Sequence, residues 1–474
     1  MSCNVEDAGM GRAVGGSEYT WCRAVPGGTG IAVLAFLLSK PPLPSSLETA
    51  LHKLQNTHPI LSSTLHFNSN SKASSFSFLS SSDRTIPFLK VQSFDLSATS
   101  THLLPHHDPP VSPFQQILEH QLNHSSWNHH HHSEHTNVPV LFASIYALPD
   151  KTWAVLLRLH VAACDRTTAA SLLRELLPLT IEDKEGGGEG RKKKKETSSS
   201  KISLAMEDLV PSEKGIKKGV WARAMDMIAY SLNSFRLTNL NFEDTKGRRC
   251  SQVVRLQLNR TEADRVLAGC RKKGIKLCGA LTAAGLMAAH GSKKGGKKYG
   301  VVTLVDCRST LHPPLSPHNF GFYHAAILNT HVMKGEEESL WDVAERAYEA
   351  FSNSKKSNKH FSDMADINLL MRSAMDNPGL TSSSSLRSSI ISLFEDTVVD
   401  DGDCEMQREV GLEDFMGCAS VHGVGPSIAM FDTIRNGCLD CVCVYPSPLH
   451  SRQQMQQFVS TMKGILVRGG QLYA

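Results

Sequence analysis

The sequence predicts an α/β protein in two parts, on three observations. Strand-like and helix-like segments alternate along the chain, the pattern of sheets layered with helices. Residues 186–200 are rich in glycine, lysine and serine, a linker composition that divides the chain. At 474 residues, 41% hydrophobic and 20% charged, the chain is long enough for two sizeable cores. The predicted parts are an N-terminal subdomain over residues 1–185 and a C-terminal subdomain over residues 201–474.

Each element has its own signal. Residues 31–38 are an apolar run of strand length, far too short to span a bilayer. Residues 45–55 place Leu47, Leu51 and Leu54 on one helix face. His58 precedes Pro59 and so favours extended backbone, as a turn residue does. Residues 156–160, Leu-Leu-Arg-Leu-His, read as an apolar strand ending in His160. A short turn with Asp165 follows, then an amphipathic helix beginning at Arg166. Beyond the linker, residues 253–258 alternate as a strand, and Arg260–Lys273 is a helix with Ala263, Val266 and Leu267 inward. Residues 278–290 are rich in small residues, which suits a tightly packed core helix. Residues 301–308 form a buried strand ending in Arg308; a strand at 439–445 and a helix at 451–466 close the chain.

Composition narrows the function. The net charge is +4, and much of the excess comes from the basic run at 191–195, so no nucleic-acid groove is expected. That run reads as solvated linker, with a nuclear-import signal as the other reading. The twelve cysteines hold one Cys-x-x-Cys spacing, Cys438 to Cys441, with no second to pair with it as metal ligands, and Cys438, Cys441 and Cys443 sit in an apolar strand. Reduced thiols and a cytoplasmic setting are expected. No signal pattern opens the sequence and no segment is long enough for a membrane span. His129-His130-His131-His132, with His124 and His135 nearby, reads as a solvated polar loop, so no functional metal is expected.

His160 carries two readings: a general base held toward a cavity by rigid backbone, or a core histidine. The surrounding residues resemble the His-His-x-x-x-Asp-Gly region of the CoA- and carrier-dependent acyltransferases. That superfamily includes peptide-synthetase condensation domains, alcohol acetyltransferases and the plant BAHD acyltransferases. Leu172, Glu175 and Leu176 follow Asp165 at the family's distances and fix the register. His160 then matches the first histidine and Val161 the second, the family's catalytic base, while Arg166 stands where glycine is usual. Neighbouring strand residues point to opposite faces, so the shift turns the imidazole off the tunnel unless a bulge re-aims it.

Other segments extend the resemblance, in order, over essentially the whole chain. Arg308 matches the arginine that pairs with the motif aspartate. Asn319-Phe320-Gly321-Phe322-Tyr323, with residues 327–330, resembles the Gly-x-Phe-x-Asn-Thr segment near the channel. Residues 419–426, with Ser420 and His422, are similar to the Ser-Asn-x-x-Gly-Pro turn beside it. The BAHD signature Asp-Phe-Gly-Trp-Gly is absent, which places the likeness nearer a condensation-like or alcohol-acetyltransferase-like branch. The wording of these segments is similar to a plant branch.

The resemblance implies two chloramphenicol-acetyltransferase-like subdomains, each a mixed sheet flanked by helices, with a tunnel between them. It implies a monomer with no bound cofactor, taking an acyl-CoA or carrier thioester as co-substrate and a small-molecule alcohol or amine as acceptor. His160 would be the base, Asp165 its structural support paired with Arg308, and His422 a second candidate that also reads as a turn histidine. Asn319, Gly321 and Ser420 would contact substrate. The other reading, resting on Val161, is a catalytically inactive binding or scaffolding protein with the same fold. Cys164 has apolar neighbours and nothing to lower its pKa, which argues against a nucleophile.

Overall fold

The computed structural model describes residues 11–68, 75–79, 91–96, 111–127, 137–182, 201–213, 237–291, 295–334, 338–377, 387, 389–400 and 404–473. The His129–His132 tract, His135, the 186–200 linker and its basic run lie outside the described residues.

The N-terminal part carries β1 (Arg12–Ala13), β2 (Thr29–Leu38), β3 (Thr64–Asn68), β4 (Ser75–Leu79), β5 (Val91–Asp95), β6 (Val138–Pro139), β7 (Leu141–Ala147) and β8 (Trp153–His160). Its main helices are Gly16–Ala24, Pro44–Thr57, Pro113–Leu122 and Arg166–Glu182. The C-terminal part carries β9 (Cys250–Leu258), β10 (Lys297–Asp306), β11 (His324–Met333), β12 (Ile391–Phe394), β13 (Val398–Asp400), β14 (Leu412–Val421), β15 (Ile428–Arg435) and β16 (Cys438–Ser447). Its longer helices are Arg260–Lys273, Leu277–His290, Leu340–Lys356, Met364–Asp376 and Arg452–Gly470.

Local chemistry sets the helix ends. Asn259 and Glu262 exchange bonds in a capping box at the start of Arg260–Lys273, and Gly274 ends that helix at φ 63°. Ser451 caps Arg452–Gly470 by accepting from Gln454 N at 3.1 Å. Leu277–His290 is buried on nearly every side, as its small residues predict, between Leu340–Lys356 and Arg452–Gly470.

Among the described residues, one mixed sheet has the order β14-β2-β8-β7-β5 and a second runs β11-β10-β12-β15-β16-β9, with β13 beside β15. A smaller sheet, β1-β4-β3-β6, flanks the first. Helix Pro113–Leu122 packs on β2 and β8; Arg452–Gly470 packs on β9. This is the two-layer arrangement expected, with one correction to its boundaries. β14 lies far beyond the linker, yet pairs antiparallel with β2 from Leu412 opposite Leu38 to Val421 opposite Thr29. Its apolar residues Met416, Cys418 and Val421 join the N-terminal core. Residues 201–474 are therefore not confined to the second sheet, because β2 would otherwise be an unpaired edge.

The halves are also fastened by buried ions. Glu119, on Pro113–Leu122, pairs with Arg452 at 2.8 and 3.0 Å, and also accepts from Val253 N at 2.9 Å. No helix among the described residues is long and apolar enough to cross a membrane. No disulfide joins the described cysteines.

Candidate active site

The site is built around Asp165. β8 keeps unbroken antiparallel register with β2 as far as His160, opposite Ile31. A 3-10 turn, Val161–Ala163, then leads to Asp165 and the helix Arg166–Glu182. Asp165 caps that helix: Oδ1 accepts from Thr168 N at 2.8 Å and the carbonyl accepts from Ala169 N at 2.8 Å. A carboxylate at a helix N-terminus is also favoured by the dipole. Arg308 grips the carboxylate with Nη1 to Oδ2 at 2.9 Å and Nη2 to Oδ1 at 3.0 Å. Oδ2 further accepts from Tyr323 N at 2.8 Å and meets His324 Nδ1 at 3.0 Å. Burial alone would raise the Asp165 carboxyl; Arg308 and His324 outweigh it and hold it well below the usual carboxylate range. Burial likewise opposes the Arg308 charge, and the carboxylate of Asp165 more than offsets that.

A cavity of about 1000 Å³ opens between the two large sheets beside this hub. Its walls are mainly apolar, with Leu34 of β2 and Leu173 of Arg166–Glu182 on one side and Leu304 and Leu328 of β10 and β11 on the other. Exposed Arg174 and Lys359 lie in its wall as well.

His160 does not reach this cavity, which corrects its expected place in the tunnel. It is fully buried, its ring stands edge to face on Trp127 at 5.2 Å, and its Nδ1 accepts from Ala162 N at 3.2 Å. The cause is the register: β8 reaches His160 without a bulge, so alternation leaves the imidazole on the packed face. Val161 takes the cavity side and lies close to Gly30, where a Cβ would come within 2.7 Å of Val161 Cγ1.

His422 is also absent from the cavity wall. Its Nδ1 lies 3.0 Å from Ser251 Oγ, and its ring fills the space beside Gly28, whose φ is 94°. A Cβ on Gly28 would come within 1.9 Å of His422 Nε2. Burial, then Arg387, lower its pKa to about 4, so it stays neutral.

The expected substrate contacts divide. Asn319 is exposed, in a turn where its Oδ1 accepts from Ser316 N at 2.8 Å, and its carbonyl accepts from Arg308 at 3.2 Å. Gly321 works through its backbone, accepting from Asp165 N at 3.1 Å and from Thr168 Oγ1 at 3.0 Å. Both brace the hub, and neither lines the cavity. Ser420 does line the cavity, with Oγ accepting from Ile31 N at 3.0 Å. Cys164 lines it too, but burial pushes its thiol up, against a thiolate.

The residue that sequence reasoning missed is His324. It opens β11 opposite Asp306 and shares a face with Ala326 and Leu328, both in the cavity wall. Its signal was present, since it directly follows Tyr323 at the end of a segment already singled out. Only its contact with Asp165, 159 residues away in sequence, gives it meaning.

No protein-family model matches the sequence, and no protein of curated function matches it either. Solved structures do share the fold. A trichothecene 15-O-acetyltransferase from Fusarium sporotrichioides superposes with a TM-score of 0.72 at 11% identity, covering 98% of this chain and 97% of that one. A nonribosomal peptide synthetase cyclization-docking bidomain from Sorangium cellulosum gives 0.64 at 12%, covering 99% and 87%. The first condensation domain of the CDA synthetase gives 0.59 at 14%, covering 97% of each. The cavity between two mixed sheets, each flanked by helices, is thus part of a condensation-domain-like, chloramphenicol-acetyltransferase-like fold in two subdomains.

Proposed function

We propose that this chain transfers an acyl group from a thioester to an alcohol or amine acceptor. The observation that carries the reading is the cavity itself, which lies between the sheets with Asp165, the partner of Arg308, in one wall. In such a transfer the acceptor oxygen or nitrogen attacks the thioester carbonyl, the C–S bond breaks, and the acceptor's proton ends on the thiol. An apolar space suits an acyl chain or an apolar acceptor. Arg174 and Lys359, exposed and in the cavity wall, offer positive charge to the phosphates of CoA or of a carrier's phosphopantetheine arm. The donor is accordingly an acyl-CoA or a carrier-bound thioester. The fold neighbours include an acetyltransferase and a condensation domain, which supports the same reaction class. Fold alone does not establish it, because one fold hosts many chemistries.

A second reading, thioester or partner binding without turnover, is favoured by one observation: Val161 stands in the cavity wall where the resemblance places the base. The full chain incubated with acetyl-, octanoyl-, benzoyl- and palmitoyl-CoA and a panel of alcohols and amines separates the two. Acylated product by mass spectrometry is the expected result. Calorimetric binding without product selects the second reading. Neither binding nor product from any thioester overturns both.

A further inference from the structure

The cavity keeps an imidazole, but on the opposite sheet from the motif. His324 is held at one ring nitrogen and presented at the other. Asp165 is ionised and so only accepts; Nδ1 of His324, 3.0 Å from Oδ2, therefore carries the ring proton. That leaves the lone pair on Nε2, across the ring from Asp165. No described residue hydrogen-bonds Nε2, and His324 forms part of the cavity wall. Phe394, itself in that wall, packs edge to face on the ring at 5.6 Å and 85° and fixes its plane.

The contrast with His160 is direct. His160 accepts at Nδ1 from Ala162 N and is sealed against Trp127. His324 donates at Nδ1 to a carboxylate, the arrangement that orients a neutral imidazole and stabilises the imidazolium when Nε2 takes a proton. Arg308 and the Tyr323 N–H hold the same carboxylate, so Asp165 stays ionised and keeps its place.

Resting on the acyl-transfer reading above, we propose that His324 is the general base of this cavity, in the place left open by Val161. Nε2 takes the proton from the acceptor hydroxyl or amine as that atom bonds to the thioester carbonyl carbon. The tetrahedral intermediate collapses, the C–S bond breaks, and the departing thiolate takes the proton back from Nε2. Ester or amide and free thiol are the products, with Asp165 ionised throughout.

The test uses p-nitrophenyl octanoate, an activated apolar acyl donor that needs no identified acceptor because water attacks it. His324→Asn keeps an N–H for Asp165 but removes Nε2. The wild-type chain should release p-nitrophenol roughly 100-fold faster than this variant, the scale of general-base assistance. Wild type no faster than the variant overturns the proposal. Should the variant not fold, diethyl pyrocarbonate labelling of the wild-type chain, mapped by mass spectrometry, decides instead. Carbethoxylation of His324 with His160 unlabelled supports the proposal, and an unlabelled His324 overturns it. Failure of the acyl-transfer reading looks different: ester hydrolysis still depends on His324 while no CoA thioester binds or reacts.

Discussion

Arg308 and Asp165 meet end-on through two parallel hydrogen bonds of 2.9 and 3.0 Å, and both side chains are buried. Removing one partner strands the other charge. Arg308→Leu should therefore destabilise the fold by about 3–5 kcal/mol in urea unfolding. Arg308→Lys should recover only part of this, because an ammonium does not match both carboxylate oxygens. A variant within 1 kcal/mol of wild type, about the size of a surface pair, would show that the pair is not buried in solution.

Glu119 and Arg452 form the second buried link between the halves. Glu119→Leu and Arg452→Met should each cost about 3–5 kcal/mol alone, whereas the two together should cost less than either single change. Chemical denaturation of the three variants gives the cycle directly. Additive losses would contradict the pairing.

His160→Leu should lower stability by about 1–3 kcal/mol, since the buried Ala162 N–H loses its acceptor at Nδ1. Release of p-nitrophenol by this variant should stay within about twofold of wild type, well below the roughly 100-fold scale of a lost base. A loss on that scale would put His160 back into the chemistry.

Acid should weaken the protein in two stages. His331, His422 and His450 are each lowered to about 4, by burial first. The unfolded chain protonates them near their ordinary value of about 6.5. Between those limits the unfolded state binds more protons, so stability falls as pH falls. Below about 4 the unfolded chain also protonates Asp165, whose folded carboxyl lies lower still, and the loss continues. Urea midpoints should drop from pH 7 to pH 4.5, and His422→Gln should flatten that slope. A midpoint independent of pH across this range would contradict the neutral buried histidines.

Local pattern made much of the frame legible. The small-residue run at 278–290 and the helix from Arg260 to Lys273 match the observed helices closely, because burial of one face or all faces is written into spacing. β14 was not legible as part of the first sheet. Its residues say only that it is a strand; which edge it covers depends on where β2 lies in space.

The candidate site divides in the same way. The sequence by itself determined a turn carrying Asp165 at a helix start, a strand ending near Arg308, and an imidazole one residue off the expected base position. The turn and the strand follow from neighbours within a few residues, where capping, alternation and apolar spacing act; the base position is what the resemblance to the acyltransferases implies. Tertiary structure alone decided that the β2–β8 register holds His160 in the packed layer. It also decided that β11 sets His324 against Asp165 at the cavity wall. Strand alternation assigns side chains to two faces but does not say which face meets the cavity. That is settled by sheet packing, and with it which histidine meets a substrate.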